Sequence, residues 1–100
     1  MPIGAFWAVL RADPWTQKNM QTGLNPELSA KLLNQMQKYA VEKTRLGIPI
    51  LFAEECAHGH MAIGTSVFPT GLAMASTWNE DLLNKAGEII ALEARLQGAN

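Results

Sequence analysis

A run of six residues, Ile48-Pro49-Ile50-Leu51-Phe52-Ala53, leaves this chain few possible folds. It is too short for a globular helix and lacks the in–out alternation of a half-solvated strand. Apolar runs of this kind belong to parallel strands covered on both faces. Parallel pairing needs a crossover, and the segment before the run supplies one. Asn25-Pro26-Glu27 combines a capping Asn, a proline at the first helical position and an acid in the first turn. Lys43 and Arg45 complement the last turn, and Gly47 is the expected left-handed stop. The pattern predicts a helix over Pro26–Leu46. Its apolar stripe would be Leu28, Leu32, Met36, Tyr39 and Ala40, with Met36 and Tyr39 in the core. Upstream, Ile3–Leu10 reads as a strand, rich in bulky residues and ended by Asp13-Pro14. Strand, helix and strand together predict an α/β class with a parallel sheet.

The second half repeats the helical grammar. Asn79-Glu80-Asp81 starts a helix, Leu82, Leu83, Ala86, Ile89, Ile90 and Ala94 form its apolar face, and Gly98 ends it. Thr16–Leu24 is polar loop. Met61–Thr77 contains Gly64, Pro69 and Gly71 and is expected to be irregular, with a single helical turn at Phe68-Pro69. Gln97-Gly98-Ala99-Asn100 reads as a turn toward a further strand. Two strands leave both sheet edges unpaired, so the expectation is a piece of a larger α/β domain.

Composition narrows the function. The 100 residues carry a formal charge of −1 with 17% charged residues, which gives no electrostatic reason to expect nucleic acid or an anionic membrane. No apolar run is long enough to span a bilayer. The single cysteine excludes an internal disulfide. The N-terminus has no signal-peptide pattern, and the compartment stays open. No cofactor is expected.

Chemistry-bearing residues collect directly after the apolar run: Glu54, Glu55, Cys56, His58 and His60, with Gly59 loosening the backbone. In parallel α/β architectures ligands bind at the carboxyl ends of strands. The residue types suit zinc, although the spacing matches neither a zinc ribbon nor a His-Glu-x-x-His helix. Glu54 and Glu55 invite acid chemistry, yet strand neighbours point to opposite faces. Cys56 has His58 nearby as a base, against the ordinary reading of a small buried cysteine. A satisfied hydrogen-bond network closing the strand end explains the cluster equally well. Trp7, Trp15 and Trp78 read first as packing residues. Trp15, in the loop after the first strand, lies on the same side as Glu55 if the strands are parallel, and a flat aromatic there would suit a sugar ring. Glu93, beside the apolar face of the second helix, is expected to form an ion pair with a cation on a neighbouring element.

Arg45-Leu46-Gly47-Ile48-Pro49-Ile50-Leu51-Phe52, followed by Glu54-Glu55-Cys56-Ala57-His58-Gly59, resembles glycoside hydrolase family 3, the family of β-glucosidases and β-xylosidases. The resemblance continues through Ala62-Ile63-Gly64-Thr65-Ser66-Val67-Phe68-Pro69, Gly71-Leu72-Ala73, Ala75-Ser76-Thr77-Trp78-Asn79 and Glu93-Ala94-Arg95-Leu96-Gln97-Gly98. It implies that residues 1–100 are part of a (β/α)8 TIM-type barrel, contributing about two parallel strands with their helices and truncated at both ends. It also implies a retaining, exo-acting hydrolase of β-linked glycosides. In the family's acid-x-x-His-Gly motif, matched here by Glu55, His58 and Gly59, the acid binds hydroxyls of the terminal sugar. Asp is common at that position, so Glu55 is longer by one methylene. The nucleophilic Asp, the general acid and the Lys-His and Arg motifs of the family lie downstream, in the rest of the barrel and the following domain. Retaining hydrolysis needs two carboxyl groups about 5 Å apart, so this stretch is expected to bind sugar only incompletely and to be inactive alone. The competing expectation is a small self-standing α/β binding module, with a metal held through Glu54, Glu55, Cys56, His58 and His60.

Overall fold

Two three-residue strands lie side by side in parallel in the computed structural model, which describes residues 3–100. β1 (Ala5–Trp7) sets Ala5, Phe6 and Trp7 opposite Leu51, Phe52 and Ala53 of β2 (Leu51–Ala53). α1 (Pro26–Lys43) connects them, and α2 (Gly71–Ala75) and α3 (Glu80–Leu96) follow β2. A one-turn 3-10 helix, Pro14–Thr16, carries Trp15 in the loop after β1. The expected parallel α/β arrangement is present; the two strands do not close a barrel.

Both strands are shorter than the apolar runs predict, for different reasons. β1 stops because Ala8 adopts φ 55°, a left-handed conformation that turns the chain, although its N–H still reaches the Ala53 carbonyl at 2.9 Å. The ladder to β2 begins only where the Leu51 N–H meets the Gly4 carbonyl, at 3.0 Å. One residue earlier, Ile50 is bonded by the Gln37 side chain instead.

α1 begins as predicted: the Asn25 side chain accepts from the Leu28 N–H at 3.0 Å, and Lys31 pairs with Glu27 at 2.7 Å. It ends three residues before the predicted Leu46. Thr44 turns extended, and its hydroxyl donates to the Ala40 carbonyl at 2.6 Å. The buried face is Ser29, Leu33 and Ala40, rotated from the expected stripe. Tyr39, expected in the core, is 65% exposed, and Leu28 is exposed as well. The apolar arc of α1 is wider than two strands can cover. Met36 is half-buried and packs against the core as expected; with exposed Tyr39 it lines a groove against Ile3, Phe6 and Ile50.

The core is small: Leu10, Leu33, Ala40, Ile50 and Phe52, with Phe6 stacked on Phe52 at 6.3 Å between ring centroids. α3 is capped by Asn79, whose side chain accepts from the Leu82 N–H at 3.0 Å. Ala94 is buried and Leu83, Ala86 and Ile90 are half-buried, whereas Leu82 and Ile89 of the expected face are exposed. Gln97, buried at the end of α3, donates to the Ile63 carbonyl at 3.2 Å. The short helical turn expected at Phe68-Pro69 forms later, at Gly71–Ala75. A residue before proline is driven out of the helical region, and the Phe68 N–H is already bonded to the His58 carbonyl at 2.7 Å.

The radius of gyration is 15.6 Å and the extents are 51 × 29 × 20 Å, against about 13 Å for a compact domain of this length. At the free edge of β2, Asn100 exchanges two bonds with Phe52: its N–H donates to the carbonyl at 3.0 Å, and its side-chain oxygen accepts from the Phe52 N–H at 2.9 Å. Asn100 thus satisfies both backbone groups of Phe52 on that edge. No helix among the described residues is long and apolar enough to cross a membrane.

Candidate functional site

Parallel strands end on the same side, so the loops after β1 and β2 meet. An antiparallel bridge between Arg11 and Ala62 and a 2.7 Å bond from the Ala12 N–H to the Met61 carbonyl join the two loops. Between them lies a cavity of about 440 Å³ bordered by Arg11, Asp13, Trp15, Glu55 and His58. The structure therefore brings Trp15, Glu55 and His58 together, as the parallel reading expected. Trp15 is 75% exposed, so it serves the cavity wall rather than the core.

Glu55 extends from the end of β2 with its side chain about half exposed. Its Oε2 accepts from Arg11 Nη1 at 2.7 Å. Arg11 Nε also donates to Asp13 Oδ2, at 2.5 Å. Asp13 is buried, and its carbonyl accepts from both the N–H and the hydroxyl of Thr16. Hydrogen bonding to Asp13, followed by the charges of Asp13 and Glu55, raises the Arg11 pKa above its ordinary value. The guanidinium is a permanent cation spanning two carboxylates. Arg11 and Asp13 were not among the residues singled out from the sequence. The signal was available: they sit at the carboxyl end of the first parallel strand, where such sites form.

Glu54, which like Glu55 lies just past the end of β2, turns the other way. Its Oε1 accepts from the N–H of Leu10 at 3.2 Å. It holds the two strand ends together and does not border the Glu55 cavity.

Cys56 and His60 lie behind the loop. Cys56 Sγ is 4.0 Å from His60 Nδ1, and His60 is 1% exposed, with no partner for Nε2 among the described residues. Burial raises the Cys56 thiol pKa, and the Glu54 charge raises it further. Burial lowers the His60 pKa, against the opposing pull of Glu54 and Glu93. A high-pKa thiol is a poor nucleophile at neutral pH. Among the described residues no group of three or more His, Cys, Asp or Glu side chains is disposed to hold a metal ion.

Gly59 is a backbone device. Its φ is 118°, and a Cβ there would collide with the Ser66 carbonyl. Its close approach lets the loop fold back so that Phe68 bonds His58. Ser66 is fixed in turn by Glu93, whose carboxylate accepts from the Ser66 N–H and hydroxyl, both at 2.9 Å. The ion pair expected for Glu93 is thus replaced by a serine. A carboxylate can be satisfied by neutral donors, and the loop supplies two.

A sequence profile of the family described as "Glycosyl hydrolase family 3 N terminal domain" matches residues 16–100. The chain is similar to a putative beta-xylosidase of Formosa agariphila, 38% identical over 81 residues, covering 81% of this chain and 11% of that protein. It is similar to a periplasmic beta-glucosidase of Salmonella typhimurium, 37% identical over 68 residues, covering 68% of this chain and 8% of the other. A probable beta-glucosidase E of Emericella nidulans is 39% identical over 56 residues, covering 55% of this chain and 6% of its own length. The chain spans between 3% and 13% of the length of the curated relatives it matches here.

Proposed function

The chain belongs to the family of glycosyl hydrolase family 3 N-terminal domains, and on that premise we propose that it forms one side of the sugar site in a retaining, exo-acting hydrolase of β-glucosides or β-xylosides. In this reading residues 1–100 are the opening strands and helices of a (β/α)8 barrel. The observation that carries it is Glu55: a carboxylate at the end of a parallel strand, half exposed, bordering one cavity with Trp15 and His58. An ionised carboxylate accepts charge-assisted hydrogen bonds from adjacent sugar hydroxyls. Trp15 offers an aromatic face to the apolar side of a pyranose ring, and Gly59 shapes the loop that presents His58.

The role of these residues is to bind and orient. Retaining hydrolysis requires two carboxyl groups flanking the bond, about 5 Å apart, and in this reading the nucleophile and general acid come from later parts of the enzyme. Fixing the terminal sugar sets the anomeric carbon where the nucleophile must strike. Contacts to hydroxyls that strengthen as the ring distorts favour the transition state over the ground state. Partners follow from the same reading: a β-linked glycoside, the rest of the barrel and the following domain.

The test is steady-state kinetics of Glu55→Gln and Glu54→Gln in the complete enzyme, on an aryl β-glucoside and an aryl β-xyloside. Glu55→Gln should lower kcat/KM by roughly 30- to 1000-fold, about 2–4 kcal/mol, the scale of losing one positioned electrostatic contact. Glu54→Gln keeps an oxygen able to accept from Leu10 and should leave kcat/KM within about threefold of the parent. Loss confined to Glu54→Gln would assign the sugar to the other glutamate, and no loss in either variant would remove the sugar from this loop.

A further inference from the structure

Arg11 meets Glu55 across 44 residues of sequence, and it reaches Glu55 from a fixed base. An exposed salt bridge alone holds no defined geometry, because two long side chains lose entropy for a screened attraction. Here one end is anchored. Asp13 is buried and accepts from Arg11 Nε at 2.5 Å, its backbone is pinned by Thr16, and the Arg11 backbone bridges to Ala62. The planar guanidinium transmits that rigidity, since Nε and Nη1 have a fixed mutual geometry and each takes a different carboxylate. Arg11 occupies Oε2 of Glu55, while Oε1 makes no hydrogen bond among the described residues.

We propose that Arg11, held by buried Asp13, is the positioning residue that fixes the Glu55 carboxylate at the cavity and leaves its second oxygen to the sugar hydroxyls, an assignment that rests on the sugar-site reading above. Arg11 acts through Glu55. Without it, the glutamate chain swings free and must be ordered by the substrate itself, which weakens binding in proportion to the rotamers that must be frozen. A lysine carries the charge but not the fork, so it can satisfy Asp13 or Glu55 and cannot hold both in one geometry.

The experiment is a double-mutant cycle in the complete enzyme, with Arg11→Gln and Arg11→Lys each made alone and combined with Glu55→Gln. kcat/KM is measured on the two aryl glycosides, and every variant is checked by thermal melting. Arg11→Gln should lower kcat/KM about tenfold alone and less than about twofold when Glu55 is already Gln, because directly coupled side chains are not additive. Arg11→Lys should recover part of the loss. Arg11→Gln leaves buried Asp13 without its cation. If that variant fails to fold, the Arg11→Lys cycle, which keeps a cation there, decides by the same criterion. Losses that multiply in the double variants, or an Arg11 substitution without effect while Glu55→Gln is impaired, would overturn the positioning role and leave the sugar site standing. Unimpaired Glu55→Gln would overturn both.

Discussion

Gln37, on α1, donates from Nε2 to the Ile50 carbonyl at 2.7 Å and accepts from the Ile50 N–H at 2.8 Å. A helix side chain thereby plays the part of a neighbouring strand for one residue. It holds the entry to β2 while Ile50 itself packs into the core. Gln37→Ala removes both partners from a buried backbone, and each orphaned group costs about 1–3 kcal/mol. In the complete protein we expect a loss of about 2–6 kcal/mol in urea unfolding, and Gln37→Glu should also destabilise, because an acceptor then faces the Ile50 carbonyl. The neighbouring exposed Lys38→Ala should change stability by less than about 0.5 kcal/mol. Equal effects at positions 37 and 38 would mean that the clamp contributes nothing.

Gly59→Ala should damage the loop that carries His58. The backbone sits at φ 118°, and the added Cβ would meet the Ser66 carbonyl, which cannot move cheaply because Glu93 holds Ser66. Strain of this kind costs about 1–3 kcal/mol before the collision is counted. Gly71→Ala is the control, since a Cβ there meets nothing within 4 Å. A Gly59→Ala enzyme with unchanged melting and unchanged KM for aryl glycosides would show that the loop tolerates a different path.

His60 gives stability a pH dependence with a defined sign. Its folded-state pKa is lowered, chiefly by burial, while the unfolded chain titrates near 6.5. As pH falls through about 6.5 the unfolded chain binds a proton that the folded one does not, so stability is lost from there down to the lower folded pKa. The melting temperature should fall between pH 7.5 and 5.5, and His60→Gln should flatten that slope even if it lowers the plateau. A slope unchanged in His60→Gln would place the titration elsewhere.

The isolated 100-residue chain should associate. Leu72, Trp78 and Leu96 are largely exposed, both strands are short, and the groove beside Met36 and Tyr39 is open. Large uncovered apolar surfaces promote self-association, and two strands with an unshared edge are marginal alone. Sedimentation across a tenfold concentration range should show mass rising with concentration. A monomer with a sharp, reversible thermal transition would contradict this.

Helix starts were legible in the sequence because their causes are local. Asn25 and Asn79 cap the N–H groups three residues ahead, and no distant residue changes that arrangement. The parallel strand pair was legible too, since an unalternating apolar run after a helix has few other homes, and the order and spacing of several short motifs from Arg45 to Gly98 pointed to the family that the profile match then identified. What each side chain touches was decided by the tertiary structure. Arg11 finds Glu55 at a separation of 44 residues, Glu93 finds Ser66 at 27, and Gln37 finds Ile50 at 13. Tyr39 stays outside because burial depends on how much sheet faces the helix, which an apolar period does not encode. A carboxylate is equally well satisfied by arginine, serine or a backbone N–H. The sequence therefore named Glu54, Glu55 and Glu93 as groups to account for; the meeting of the strand ends assigned Leu10 to the first and Arg11 to the second, and the packing of α3 against the loop after β2 assigned Ser66 to the third.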